Sequence, residues 1–287
     1  MKFAFIRDHR REFPVEALCD VLGVSRSGFY AWDHRPASVR DLRRAELAAK
    51  VRETHAESRS IYGSPRVHRA LLKEGVACCE NTVARLMNAE GLRSRAKRRY
   101  RPRTTDSRHD HPVAGNVLNR EFYPERADQS WSADITYVET AEGWLYLAVV
   151  LDLFSRRVIG WATADHLRAE LTCEALERAL KGRKPTGELL HHSDRGSQYA
   201  SAAYQAILAR HGIEPSMSRA GDCYDNAVTE SFFSSLKGEW TRHESYATRE
   251  QAAISLFEYI EVFYNRQRLH STLNYRSPVD FEARFAS

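Results

Sequence analysis

Apolar positions change their spacing near Trp131, and that change divides the chain. Before it, the spacing is helical. Ala17, Leu18, Val21 and Leu22 recur on one face, with Pro14 suited to a first turn. Gly23 then makes a turn and Ser25 can cap a second helix. Helix, glycine turn and helix over residues 14–33 resembles a helix-turn-helix or an ordinary pair of packed helices. Residues 63–91 repeat the idea. Ser64 and Pro65 open a helix carrying Val67, Leu71 and Leu72, and Gly75 breaks it. Glu80 or Asn81 starts another with Val83, Leu86 and Met87, and Gly91 sits where a C-terminal glycine cap belongs.

From Trp131 the pattern becomes strand-like. WSADITYV, WLYLAVVLD and RVIGWAT follow one another closely, the first two joined by the hairpin-type turn ETAEG. Residues 168–181 read as a helix and GELLHH as a fourth strand. Residues 199–210 form a second helix, IEPSM a fifth strand, 225–240 a third helix and 250–264 a fourth. Hairpins first and crossovers later predict an α/β fold: a mixed five-stranded sheet with flanking helices, preceded by an all-α region. The expected organisation is an N-terminal helical region over 1–60, and a second helical segment with a basic block over 61–103. A linker over 104–126, a catalytic core over 127–245 and a helical extension over 246–287 follow.

With 43% hydrophobic residues in 287, the chain can bury a sizeable core. Its net charge of +5 is mild, so the distribution carries the information. The block RSRAKRRYRPR, residues 93–103, concentrates Arg95, Lys97, Arg98, Arg99 and Arg101 around a tyrosine. It reads as a phosphate-contacting segment, or as a solvated linker face. Five cysteines without a C-x-x-C, an odd number, argue against a disulfide framework and fit a reducing cytosol. The start, MKFAFIRDHRR, is too short in apolar residues for a signal peptide. The longest apolar stretch, Trp144 to Leu151, falls well below the roughly 20 residues that span a bilayer.

Three acids stand out. Asp134 lies inside the first strand among apolar and small residues, where a charge survives only if paired or metal-bound. Asp194 ends the fourth strand in HHSDRGSQYA, and Glu230 lies on the third helix on a face shared with Asn226 and Lys237. If the crossover packs back, the fourth strand lies beside the first and Asp194 approaches Asp134. Converging carboxylates repel one another, and a hard cation such as Mg²⁺ relieves that repulsion. Taken singly, Asp194 also suits an Asx-turn or a helix cap, and Glu230 a solvated helix position. Asp222 and Asp225 read as loop and N-cap residues.

Asp134, Asp194 and Glu230, with 35 residues between the last two, match the acid triad of retroviral-integrase-like polynucleotidyl transferases. Lys237, seven residues after Glu230, matches a basic residue common in that family. The words LDLFSRRVIGWA, HHSDRGSQYAS, SRAGDCYDNAVTESFFSSLKGE and FYNRQRLHSTLNYRSPVDFE, with WSADITYV, resemble the catalytic-frame (OrfB) protein of insertion-sequence-3 transposases. The resemblance covers nearly the whole chain, YGSPRVHRAL included.

That resemblance implies an RNase H-like catalytic fold, dependence on Mg²⁺ or Mn²⁺ with two ions, and DNA strand transfer. Water attacks a phosphodiester at the element end, and the freed 3′-hydroxyl then attacks another. Asp134 and Asp194 would share an ion and Glu230 would complete a second site. Lys237 would pair with a phosphate, and Asn226 would approach DNA or fix Glu230. His192 would hold a phosphate or brace Asp194, or be a satisfied strand-end histidine. Arg266, Arg268 and His270 would touch DNA or cap the last helix. Expected partners are DNA at the element's terminal repeats and target, the upstream-frame (OrfA) protein, and further copies of the chain. The expected location is the bacterial cytoplasm at the nucleoid. His55, His68, Cys78 and Cys79 lack the spacing of an integrase zinc site, so no zinc is expected. A DNA-binding regulator and a nuclease without joining activity are the alternatives.

Overall fold

The computed structural model describes residues 1–36, 38–95, 113–219 and 223–285. They fall into two units, 1–59 with 63–93 and 60–62 with 94–287.

The first unit is helical. Helices α1 (Lys2–His9), α2 (Val15–Leu22) and α3 (Arg26–Asp33) close over Ile6, Cys19 and Phe29. Gly23 ends α2 at φ 62°, a left-handed conformation that a β-carbon resists. Ser25 caps α3, its hydroxyl accepting from the Gly28 amide at 3.1 Å. Helix α4 (Val39–Glu57) starts with a reciprocal cap between Ser38 and Asp41. It packs with α5 (Ser64–Lys73) and α6 (Glu80–Ala89), which bury Val67, Leu71, Val83, Leu86 and Met87. Helix α4 went unread in the sequence because VRDLRRAELAAKVRETHAE is charged on most sides. It buries only a narrow stripe of Ala48, Val51, Thr54 and His55.

The second unit holds the expected five-stranded sheet. Strands β1 (Ser130–Thr140), β2 (Gly143–Asp152) and β3 (Val158–Ala164) form an antiparallel meander. Helix α7 (Ala169–Arg183) carries the chain across to β4 (Leu190–Ser193), which pairs parallel with β1. Helices α8 (Ser197–Ala200) and α9 (Ala202–Arg210) lead to β5 (Glu214–Met217), parallel to β4. The order β3-β2-β1-β4-β5 puts β1 and β4 side by side. Helix α7 covers one face, closing a core of Trp131, Ala133, Val150, Leu176 and Tyr204. Gly160 permits the close approach of β3 to α7, since a β-carbon there would lie 2.3 Å from the Ala175 carbonyl oxygen.

A 3₁₀ turn (Cys223–Asn226) precedes α10 (Ala227–Glu239), and α11 (Arg249–Phe257) follows; these two pack on β1 and β2. Helix α11 continues as a π-helical stretch, Glu258–Tyr264, where the sequence predicts one regular helix. The chain ends in α12 (Pro278–Glu282). Arg183 fastens α12 to the core through Glu282 at 2.6 Å and Asp128 at 2.8 Å. Residues 117 and 118, expected in a linker, donate their amides to the Ser216 hydroxyl of β5 at 3.0 and 3.1 Å.

Candidate active site

Strand register brings the first two acids together. Ser132 pairs with His192 across the parallel β1–β4 ladder, and Asp134 and Asp194 each follow two residues later. Neighbouring strands run about 4.8 Å apart, so the two backbones deliver their carboxylates to one edge. Strand β4 ends at Ser193, and Asp194 turns the chain away at once. Its Oδ1 accepts from the Gly196 amide at 2.9 Å, an Asx-turn that opens α8. Gly196 leaves room for that turn, because a β-carbon would stand 3.0 Å from Asp194 Oδ1.

Helix α10 supplies Glu230, and β1 fixes the helix. The Ser132 hydroxyl donates to Asn226 Oδ1 at 2.5 Å and lies 2.7 Å from the Thr229 hydroxyl. Asn226 Nδ2 donates to the Ala133 carbonyl at 3.2 Å. Glu230 follows Asn226 by one helical turn, so the staple sets its position. Lys237, two turns further, places Nζ 4.6 Å from the centre of the Tyr137 ring.

The electrostatics tie these groups together. The Asp134 carboxyl is pushed well above the usual carboxylate range by burial, then by Asp194 and Glu230. A hydrogen bond from the Ile135 amide and the charge of Lys237 act the other way. Among the described residues no group of three His, Cys, Asp or Glu side chains stands close enough together to hold a metal ion. The donor chemistry nonetheless suits a hard divalent cation: all-oxygen, anionic, and with one member whose charge burial and its neighbours oppose.

The other expected site residues separate into two groups. Lys237 and Asn226 belong to the acidic neighbourhood, and Asn226 acts by fixing the helix of Glu230 from a buried position. Arg266 is exposed. Lys97, Arg98, Arg99 and Arg101 lie outside the described residues. Arg95 is half-buried and donates to the Glu239 carbonyl at 2.9 Å, which commits its guanidinium to the fold. His192 is a buried, satisfied histidine: its ring nitrogens meet the Ser216 and Ser218 hydroxyls at 2.9 and 3.1 Å. Burial lowers its pKa to about 4, so it is neutral near pH 7 and does not brace Asp194 as a cation.

Arg268 corrects the expectation most. Only 2% exposed, it grips Glu239 with two bonds of 2.6 Å and cannot present itself to DNA. Asp225 is not the N-cap of α10. It is buried and accepts from Asn116, Arg120 and the Arg219 amide, anchoring the approach to that helix.

Sequence reasoning missed Ser132 and Thr229, whose only mark was their position near an acid. It also missed Tyr199, a buried phenol five residues after Asp194 that feels both Asp134 and Asp194.

Asn226→Ala leaves Ser132 and the Ala133 carbonyl short of a partner. The expected result is a loss of about 1–3 kcal/mol in denaturant unfolding. An unchanged unfolding midpoint would contradict the stapling role.

Residues 124–223 match the family described as an integrase core domain, and residues 230–284 match a second family of the same description. Residues 41–100 match an HTH-like domain. The transposase InsF for insertion sequence IS3A of Escherichia coli (strain K12) is 44% identical over 284 residues, covering 98% of each chain. A 31 kDa uncharacterized protein of insertion element IS600 from Shigella sonnei is 42% identical over 268 residues, 93% of this chain and 98% of the relative. Among solved structures, a simian T-cell lymphotropic virus intasome in complex with PP2A regulatory subunit B56 gamma is similar at 12% identity and a TM-score of 0.48. That match covers 80% of this chain and 73% of the other. The HTLV-2 integrase catalytic core domain in complex with magnesium is similar at 14% identity and a TM-score of 0.43, over 55% and 98%.

Proposed function

Because this chain belongs to the insertion-sequence-3 family of transposases, we propose that its DNA cleavage and strand transfer are carried out at Asp134, Asp194 and Glu230. The observation that carries the assignment is the register of β1 with β4, together with the stapling of α10 to Ser132. Chemistry on a phosphodiester needs charge neutralised at the attacking and leaving oxygens. Asp134 and Asp194 would hold Mg²⁺ or Mn²⁺, with Glu230 completing a second ion's site. Such ions, when bound, supply the Lewis acidity that activates the attacking oxygen and stabilises the leaving one.

The protein's own groups do the rest. Asp134, buried in β1, offers a carboxylate in a setting of low dielectric. Asp194 is oriented by its Asx-turn. Glu230 is held at a fixed height along α10 by Asn226 and Thr229. Lys237 would contact a phosphate beside the centre. Serine or tyrosine nucleophiles are not required, since water and then a 3′-hydroxyl make the attacks.

The helical unit would grip DNA. The HTH-like match over 41–100 and the glycine-turned pair α2–α3 support that reading. Neutralising Lys97, Arg98, Arg99 and Arg101 together is expected to weaken DNA binding. The log–log salt slope should flatten by about 0.9 for each lost phosphate contact, read by fluorescence anisotropy at stepped KCl. An unchanged slope would make the block a passive linker.

The wider reading includes terminal repeats and target DNA as substrates, several copies acting together, and the upstream-frame (OrfA) protein as partner. It puts the chain in the bacterial cytoplasm at the nucleoid. No described helix is long and apolar enough to cross a membrane. A labelled element-end duplex incubated with Mg²⁺ tests the proposal. Joined products support it, cut products alone favour a nuclease, and retarded but intact DNA favours a regulator.

A further inference from the structure

The β1–β2 hairpin carries an aromatic pair that the chemistry at the acids does not use. Trp144 is 45% exposed at the start of β2, and its ring meets Tyr137 edge to face with centres 4.7 Å apart. An exposed tryptophan on a loose turn would mean little. This turn is tied down. Arg249 donates its amide to Glu142 at 2.9 Å and its Nε to the Trp144 carbonyl at 3.1 Å. The Thr140 hydroxyl donates to the Gly143 carbonyl at 2.6 Å, and Gly143 sits at φ 104°, where glycine is favoured.

One cation lies against the pair, while Glu139 pairs with Trp144 across the strands. Lys237 lies over the opposite partner, Tyr137, and its own charge is opposed by burial and by Arg242. The same ammonium senses Asp134, so it joins the acidic centre to the aromatic step. Rigid aromatic surface beside a cation is the chemistry that holds single-stranded nucleic acid: bases stack on the rings and a phosphate meets the cation. A paired duplex keeps its base faces covered by one another and cannot use such a surface.

We propose that Trp144, seated on Tyr137 beside Lys237, is a stacking site for an unpaired nucleotide of the bound DNA strand. The assignment rests on reading Asp134, Asp194 and Glu230 as the reaction centre. Lys237 spans the step between this pair and that centre: its Nζ lies 4.6 Å from the centre of the Tyr137 ring, and its charge is felt by Asp134.

The test compares two synthetic duplexes of the same sequence, one ending in a six-thymidine single-stranded tail and one closed by a hairpin loop. Binding of the full chain is read by fluorescence anisotropy, and thermal unfolding and sedimentation are read in parallel. Trp144→Ala is expected to weaken binding to the tailed duplex about ten-fold or more, with the hairpin-closed duplex unchanged. Trp144→Phe, which keeps a ring, should retain most of the affinity. Unchanged binding to the tailed duplex would overturn the proposal. So would equal losses on both duplexes. A change in sedimentation with DNA binding intact would assign Trp144 to a contact between protein chains instead. Asp134→Asn separates the two readings: if it keeps full strand transfer, the reaction centre is misassigned, whatever Trp144 does on tailed DNA.

Discussion

Asp134→Asn, Asp194→Asn and Glu230→Gln are each expected to reduce strand transfer by about a thousand-fold or more. Ion-assisted stabilisation of the reacting oxygens is worth several kcal/mol, and each 1.4 kcal/mol is a factor of ten. The three substitutions remove charge and keep shape. Asp134→Asn preserves an oxygen that can accept from the Ile135 amide at 2.7 Å, so the strand is expected to hold. It also removes a carboxylate that burial and two neighbouring acids oppose, so thermal stability without added cation should hold or rise. Asp194→Asn keeps an acceptor for Gly196 and with it the turn into α8. Glu230 is exposed on α10, and its replacement should leave the helix intact. DNA binding, measured by anisotropy, is expected to remain within a few-fold of the parent. Parent-level joining by any one of the three would reject its assignment.

Arg268→Ala is expected to lower thermal stability by about 10 °C while leaving the DNA affinity of the folded protein unchanged. Arg268 and Glu239 are 2% and 3% exposed, and two bonds of 2.6 Å join them. The Ser235 hydroxyl at 3.3 Å and the Tyr264 ring complete the surroundings. Removing Arg268 leaves the Glu239 carboxylate buried without its guanidinium, which costs about 3–5 kcal/mol. At about 2–4 °C per kcal/mol for a chain of this size, the melting temperature moves by that amount. Arg268→Met combined with Glu239→Met removes both charges, and most of the loss should be recovered. Weakened DNA binding at an unchanged melting temperature would return Arg268 to a DNA-facing surface.

These two sites mark what could be read in advance. The placement of Asp134 and Asp194 was legible because it depends on short-range rules. An acid inside an apolar strand, a strand ending in aspartate before glycine, and a crossover that packs back are local facts with a fixed geometric consequence. The glycine turns at Gly23 and Gly75 were legible for the same reason. Arg268 was not. Its neighbours in NRQRLHSTL are polar, and its partner lies 29 positions earlier, at the end of α10. Nothing in the spacing says that the pair is buried. His192 and Asp225 are similar cases: each is satisfied by hydroxyls, amides or guanidinium groups from β5, the following loop and residues 116–120. Helix α4 escaped notice because a helix burying four residues in nineteen leaves a weak apolar stripe. The π-helical run Glu258–Tyr264 carries no sequence mark, since aromatic residues fill its buried side as they would in a regular helix.

The central claim is that Asp134, Asp194 and Glu230 hold divalent ions at the edge between β1 and β4. Crystals of the protein soaked in Mn²⁺, with anomalous scattering recorded, test it most directly. The account predicts an anomalous peak within about 2.5 Å of carboxylate oxygens of both Asp134 and Asp194, lost in Asp194→Asn. Manganese bound elsewhere, with those two carboxylates unliganded at saturating concentration, would contradict it.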